Sequence, residues 1–390
     1  MISSITLFTY ELDNQDIAVN ELNEQLRGFE LLAHTVGILM CDTEFIDSGV
    51  YKAVCAALPF DVVGTTTMTQ AVDGEAGVLM LTVMVLTADD VFFEVGYTEP
   101  IPSNSNIAEH SKAGYESVAA RLPSGPKLIF VFPPLLENAG DEYILAFESF
   151  CPNVPIFGTL AIDDSITFEH CHTFHNGEMS QDRLAFILVS GNVSPRFLMG
   201  TIADENKLPY SGEITKSKGH IVQEINNALT SKYFESIGFA KNGKLDDGLQ
   251  FVPFLLDFKK RADHDDIPVV RAMVYFDENG YGVGRGYMDE GSVFFLTNPS
   301  ADEIFKSSLG LIDRLRELPD KQAIIIFSCV VRRMTFGTQP LREAEMITEK
   351  LSGGPPFMLA YAGGEFCPTS YTDGKVTNRF HNYSIIACVL

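Results

Sequence analysis

The residues best suited to chemistry crowd the carboxyl-terminal part of this 390-residue chain. An apolar run, Ala323 to Phe327, delivers Ser328 and Cys329, with Arg332 and Arg333 close behind. A second run ends at Tyr361 and leads into Gly363, Gly364 and Glu365, and a third is preceded by His381 and Asn382. Polar groups at the ends of buried strands are how α/β proteins build ligand sites. A guanidinium from Arg332 or Arg333 can hold a carboxylate through two parallel hydrogen bonds. Glu365 could receive an ammonium, so the two together would suit a zwitterion such as an amino acid. The competing reading is structural: Arg332 or Arg333 pairs with Glu345 or Glu365 inside the fold, and the glycines make a tight turn.

Cys329 could act as a nucleophile beside Glu365 if Arg332 and His381 held its thiolate. The spacing does not suit a Cys-x5-Arg phosphatase, because Thr335 stands where the arginine would be. No Gly-x-Ser-x-Gly, P-loop or His-Glu-x-x-His sequence occurs, and Gly282-Val-Gly284-Arg-Gly286 is too short for a dinucleotide fingerprint. A buried thiol is the expected state; the chain is expected not to be an enzyme, and no catalytic residue is assigned. The best metal look-alike is His170-Cys171-His172 with His175. In a strand His170 and His172 would share one face, with Cys171 and His175 on the other. Further ligands are not visible nearby, so no metal site is expected. A haem needs one axial histidine, which His172, His175 or His381 could supply. No covalent haem-attachment sequence is present.

Those groups need a scaffold, and the composition describes one. Hydrophobic residues make up 46% and charged residues 21%, values of a globular protein. The 52 acidic against 28 basic residues give a net charge of −24, which repels phosphate backbones and anionic lipid. Nucleic acid and membrane insertion are therefore not expected, and no apolar run approaches the ~20 residues that span a bilayer. The amino terminus lacks the pattern of a signal peptide. The seven cysteines form no Cys-x-x-Cys pair, and Cys41, Cys55, Cys151 and Cys388 sit in apolar surroundings. Buried reduced thiols and a cytoplasmic location are expected.

Along the chain, apolar runs alternate with helical stretches. Strands are expected at 4–11, Val36 to Asp42, Phe60 to Thr67, Gly77 to Thr87 and Val91 to Tyr97. The pattern returns at Lys127 to Phe132, Asp141 to Phe150 (a helix) and Val154 to Thr159, with further strands around 168–175 and 183–190. It returns again at Ala323 to Cys329, Leu341 to Leu351 (a helix) and Pro356 to Tyr361. Gly64-Thr65 and Gly158-Thr159 end two of these strands, and Phe-His-Asn stands at both 174–176 and 380–382. An internal repeat of strand, helix, strand and hairpin is inferred. Val193 to Ser217 reads as a connection and Ile221 to Phe234 as a helix. Strands are expected at Val252 to Phe258, Val269 to Phe276 and Gly291 to Leu296, then a long helix over 300–318. The fold class is α/β (α+β), with mixed sheets flanked by helices in two domains, 1–210 and 211–390.

These motifs resemble the FIST family, sensory input modules of bacterial signal transduction with an amino-terminal and a carboxy-terminal part. The amino-terminal resemblance lies in Val63-Gly64-Thr65-Thr66, in Pro155-Ile-Phe-Gly158-Thr159-Leu-Ala161 with Asp163, and in Thr173-Phe-His-Asn-Gly177-Glu178. The carboxy-terminal one lies in Ser328-Cys329 with Arg332, Glu345, Tyr361-Ala-Gly363-Gly364-Glu365 and His381-Asn382. Together they span about residues 30–390. The family's Gly-Cys-Ser/Thr-Thr is here Gly64-Thr65-Thr66, and its Gly-Gly-Ala is here Gly158-Thr159-Leu160-Ala161. These departures fall at the expected pocket, so the resemblance does not carry the ligand's identity. It implies a small ligand, amino acids or related metabolites among them, bound by Gly64, Thr65, Thr66, Gly158, Thr159, Asp163 and the carboxy-terminal motif residues. Some members bind haem and sense nitric oxide, so haem is the alternative to no cofactor. Relatives are fused to histidine kinase or diguanylate cyclase outputs, so a separate protein of that kind is the expected partner. A cysteine-dependent enzyme is the second alternative.

Overall fold

The computed structural model describes residues 2–102, 105–137, 140–165, 168–245, 253–257, 268–372 and 375–390. Its body consists of three six-stranded sheets. The first begins with β1 (Ser3–Thr9), α1 (Gln15–Leu26) and β2 (His34–Cys41). The short α2 (Glu44–Asp47) and α3 (Val50–Ala57) then lead to β3 (Asp61–Thr66), parallel to β2. Next comes a hairpin, β4 (Met68–Val72) and β5 (Glu75–Gly77), and then β6 (Leu81–Ala88), antiparallel between β1 and β2.

The same order follows in β7 (Val91–Tyr97), α4 (Ile107–Ala119), β8 (Leu128–Phe132), α5 (Gly140–Phe150) and β9 (Ile156–Thr159). The hairpin is β10 (Thr173–His175) and β11 (Glu178–Ser180), and β12 (Ala185–Gly191) returns between β7 and β8.

A third series starts with β13 (Arg196–Gly200) and is interrupted by an insertion. The insertion holds β14 (Lys207–Lys218), β15 (Ile221–Ile225), β16 (Ala228–Leu229), α6 (Thr230–Ser236), β17 (Ala240–Lys241) and β18 (Lys244–Leu245). It continues with β19 (Phe254–Asp257), β20 (Val269–Arg271), β21 (Met273–Phe276), β22 (Gly282–Gly284) and β23 (Val293–Thr297). Eight of these strands form one sheet. The third series resumes with α7 (Ala301–Glu317), whose start is fixed by the reciprocal Ser300–Glu303 capping box. It ends with β24 (Ile324–Cys329), α8 (Val330–Thr335), α9 (Arg342–Leu351), β25 (Phe357–Ala362), the hairpin β26 (Glu365–Thr372) and β27 (Lys375–His381), and β28 (Ile385–Val389).

Each hairpin joins a sheet other than its own. The orders are β1-β6-β2-β3-β10-β11, β7-β12-β8-β9-β26-β27 and β13-β28-β24-β25-β4-β5. Gly64 and Gly158 sit at matching points in the first two: a Cβ on either would collide with the carbonyl of Leu39 or Val131 in the parallel neighbour. Each also pairs with a phenylalanine of the incoming hairpin, Phe174 or Phe366. The Phe-His-Asn triplets do not match in this way, since Phe174 lies on the first strand of its hairpin and Phe380 on the second. The counterpart of Asn176 is instead Asn378. Their Oδ1 atoms accept from Val62 N and Ile156 N, both at 2.8 Å.

The apolar runs are explained by burial on both strand faces. Along β24, Ile325 and Phe327 point into a core shared by all three sheets, while Ile324 and Ile326 meet α7 and α9. The insertion has its own core around Ile214, Phe234, Phe254 and Phe294. It is joined to the body by Arg271, which is fully buried. Arg271 Nη2 donates to both carboxylate oxygens of Asp141 at 2.9 and 3.2 Å, and Nη1 donates to the Phe380 carbonyl at 2.7 Å.

The mixed α+β class stands, and three expectations within it change. Ile221 to Phe234 is not one helix: β15 ends in an Asn226-Asn227 turn with φ of 52° and 62°, and α6 starts only at Thr230. Asparagine tolerates this left-handed backbone, and the pair marks a turn. Val193 to Ser217 is not a bare connection but carries β13 and most of β14. Pro209 is accommodated because β14 shifts register against β23 between Lys207 and Ser211. Gly77 to Thr87 is divided, with Gly77 closing one hairpin and β6 opening at Leu81. The expected strand ends Val252 and Phe258 lie outside the described residues. No helix among the described residues is long and apolar enough to cross a membrane.

Candidate ligand site

The carboxyl ends of β3, β8, β9, β24 and β25 converge where the insertion packs on the body. There they leave a cavity of about 280 Å³. Met68 lines it from the start of β4 in the third sheet, Leu135 and Ile162 from the segments that follow β8 and β9, Cys329 to Val331 from the end of β24, and Gly363 and Asn382 from the carboxyl-terminal turns. Ala272, Val274 and Arg285 close it from the insertion. The lining is mostly apolar with a few polar groups, as ligand pockets are.

Four of the expected residues, Asp163, Cys329, Gly363 and Asn382, line this cavity. Asp163 is also the hub of its own loop, accepting from Ser165 N at 2.7 Å, His170 N at 2.5 Å and the Cys171 thiol at 3.4 Å. Asn382 is 4% exposed, and among the described residues its Oδ1 has no donor.

Arg332 lies beneath the site, fully buried. Its partner is Glu343, at 2.8 Å, and not Glu345 or Glu365. The same guanidinium donates to Ser308 Oγ at 2.6 Å, Ser307 Oγ at 3.0 Å and the Ile304 and Tyr383 carbonyls at 3.1 and 3.2 Å. Ser328 Oγ donates to the other Glu343 oxygen at 2.7 Å. Burial by itself would raise the Glu343 carboxyl, but the Arg332 charge and the Ser308 and Ser328 hydrogen bonds outweigh it and hold the group below its usual range. Glu345 is exposed on α9, because two residues along a helix turn a side chain to the far side. Arg333 donates from Nε to Thr69 Oγ1 at 2.8 Å.

Glu365 and Cys329 are neighbours in the buried layer behind the cavity. Ser384 Oγ donates to Glu365 Oε2 at 2.6 Å, while among the described residues Oε1 has no hydrogen-bond partner. Burial pushes the Glu365 carboxyl up to about 8, against the lowering influence of Ser384 and Arg332. Burial, then the Glu365 charge, push the Cys329 thiol up as well. His381 stands opposite Glu365 in the β26–β27 register, but its Nε2 lies 3.3 Å from the Cys367 carbonyl. Burial, then the charge of Arg271, drive this imidazole down to about 3, so it is neutral. Tyr361 is fully buried among the side chains of the third sheet.

The remaining expected residues hold strands and loops together. Thr65 and Thr66 hydroxyls both donate to the His172 carbonyl, at 2.9 and 3.3 Å, and Thr159 Oγ1 donates to the Gly364 carbonyl at 2.9 Å. Gly64 and Gly158 are at close backbone contacts, and a Cβ on Gly364 would run into the Phe380 ring. His170 and His172 are not in a strand, which begins at Thr173, so they share no strand face. His172 Nδ1 lies 2.6 Å from the His170 carbonyl, and His175 stacks on Tyr97 at 5.3 Å. Among the described residues no cluster of three His, Cys, Asp or Glu could hold a metal ion. All seven cysteines are free and buried, as expected for reduced thiols.

Sequence reasoning missed Glu343 and Arg285. Glu343 shares the buried stripe of Ile347 and Leu351 on α9, a spacing that was legible. Arg285 lies in Gly282-Val-Gly284-Arg-Gly286, a glycine pattern too short for a dinucleotide fingerprint and carrying no other local signal. Its cavity position depends on the packing of the insertion on the body, which no local pattern encodes.

Compared with known families, residues 35–228 match the FIST N domain and residues 228–368 match the FIST C domain. No curated protein matches the chain.

Proposed function

We propose, on the premise that this chain belongs to the FIST family, whose domains are sensory domains of signal transduction, that it senses a small organic ligand in the cavity. Its state is then passed to a separate output protein of the histidine kinase or diguanylate cyclase kind. The carrying observation is that the cavity has two walls: Ala272, Val274 and Arg285 on the insertion, and Cys329, Gly363 and Asn382 on the body. A ligand touching both walls favours the docked arrangement over a looser one, and only such differential affinity can make a signal.

The buried groups favour binding over catalysis. Cys329 is held as a thiol beside Glu365, and His381 turns its Nε2 toward a backbone carbonyl. The candidate haem ligands His172, His175 and His381 lie off the cavity lining. Free, buried cysteines fit a reducing cytoplasm.

The test is a thermal-melt screen of the purified protein against amino acids, organic acids, their neutral analogues and haemin, after an absorption spectrum. A stabilising ligand whose effect disappears in Val274→Trp, which fills the cavity, supports the proposal. Loss of that dependence, or no stabilisation by any class, overturns it. A Soret band in the purified protein would transfer the reading to haem.

A further inference from the structure

Resting on that reading of the cavity, we propose that its ligand is a small organic monoanion. It is a carboxylate on an uncharged apolar body, and Arg285 receives the carboxylate. Three arginines are buried among the described residues, and each has an acceptor: Arg271 of the insertion pairs with Asp141, Arg332 pairs with Glu343, and Arg379 donates to the Asn378 carbonyl at 3.2 Å. Arg285 differs. It is half-buried on the cavity wall, and among the described residues its guanidinium makes neither a hydrogen bond nor an ion pair. Burial lowers its pKa, so its charge is held in unfavourable surroundings that a counterion would relieve.

A second observation points the same way. Asn382 lines the cavity, is 4% exposed, and among the described residues leaves its amide oxygen without a donor. The two ends of an amide are interchangeable in assignment, so turned over it offers an N–H to the second oxygen of a carboxylate. Arginine supplies the fork and asparagine completes it.

What the cavity lacks decides between a plain acid and a zwitterion. An ammonium needs a free carboxylate in the pocket. Asp163 already accepts from three donors. Asp164 is exposed at the rim, where water competes. Glu365 stands behind Cys329, off the cavity lining, and burial pushes its carboxyl up to about 8. The other walls, Leu135, Ile162, Val274 and Val331 among them, are apolar. A volume of about 280 Å³ is roughly twice that of a ~150 Å³ cavity that holds benzene, which sets the size at about a dozen non-hydrogen atoms.

The experiment uses matched sets on the full chain: 4-methylpentanoate, its amide and leucine, then 3-phenylpropanoate, its amide and phenylalanine. Binding is read by calorimetry and by melting. At least one of the two carboxylates is expected to bind roughly tenfold or more tightly than its amide and its amino acid. Arg285→Gln is expected to lose that advantage, with Arg285→Lys, which keeps the charge without the fork, in between. The inference is overturned if an amide or amino acid binds as tightly as its acid, if Arg285→Gln binds the acid like wild type, or if neither acid binds. Should a neutral or zwitterionic ligand bind instead, and Val274→Trp abolish that binding, the sensing proposal survives while this inference falls. Failure of every class brings both down.

Discussion

Arg332 and Arg285 frame the comparison that the molecule offers. Both sit near the junction of insertion and body, Arg332 fully buried and Arg285 half-buried. Arg332 is held by a carboxylate, two serine hydroxyls and two carbonyls that accept from its Nη1 and Nη2, and its fully buried Nε is left without an acceptor among the described residues. Among the described residues Arg285 has no such partner, and it lines a cavity. The lesson is that an arginine's availability is decided by the acceptors the fold brings to it. Its place at a strand end is a poor guide.

Removing one member of the closed network should have the largest effect. Arg332→Ala leaves Glu343 buried without its counterion and should cost about 3–5 kcal/mol in urea unfolding. Arg332→Met combined with Glu343→Leu should recover most of it, because removing both charges also removes their desolvation cost. A loss no greater than that of an exposed ion pair, below about 1 kcal/mol, would erase the contrast.

Glu365 gives an effect of intermediate size with a defined pH signature. Its folded pKa of about 8 exceeds the unfolded carboxyl value, so the native state holds the proton more tightly. The stabilisation is complete below about pH 4.5 and is lost as pH rises through 8. Glu365→Gln should remove this decline and gain on the wild type by an amount on the order of a few kcal/mol between pH 5 and 8. Parallel stability–pH curves for the two proteins would refute it.

The smallest effect belongs to the open arginine. Without ligand, Arg285→Gln should melt like the wild type or slightly higher, because it removes an uncompensated charge; the difference should lie within about 0.5–1 kcal/mol. A loss comparable to that of Arg332→Ala would mean that Arg285 is structural after all, and the comparison would collapse.

Much of the body was legible. The runs at 128–132 and 324–329 read as buried strands, and Gly64-Thr65 and Gly158-Thr159 marked where two others end. The insertion was harder to read. Its strands are short and half-polar, and β15 with the start of α6 mimics a helical period until the Asn226-Asn227 turn is noticed. Of the cavity lining, Cys329, Gly363 and Asn382 stand beside strand ends, positions that the apolar runs make legible. Glu343 lost to Glu345, since a carboxylate two residues away on a helix looks equivalent until the apolar stripe is drawn. Arg285 was invisible for a different reason: its role depends on which surface of the insertion meets the body.

The exchanged hairpins also set a schedule for assembly on the ribosome. Strand β3 obtains its outer neighbour β10 from a segment made soon afterwards. By contrast, β9 must wait for β26, and the β4–β5 hairpin cannot dock until β25 has emerged, pairing Ala71 with Leu359. Contacts so far apart in sequence close slowly, and until they do, the nascent chain presents bare strand edges to its neighbours. The order of synthesis therefore leaves the amino-terminal half waiting on the carboxyl-terminal one, and the cavity can take shape only after β25 and the turns behind it have left the ribosome.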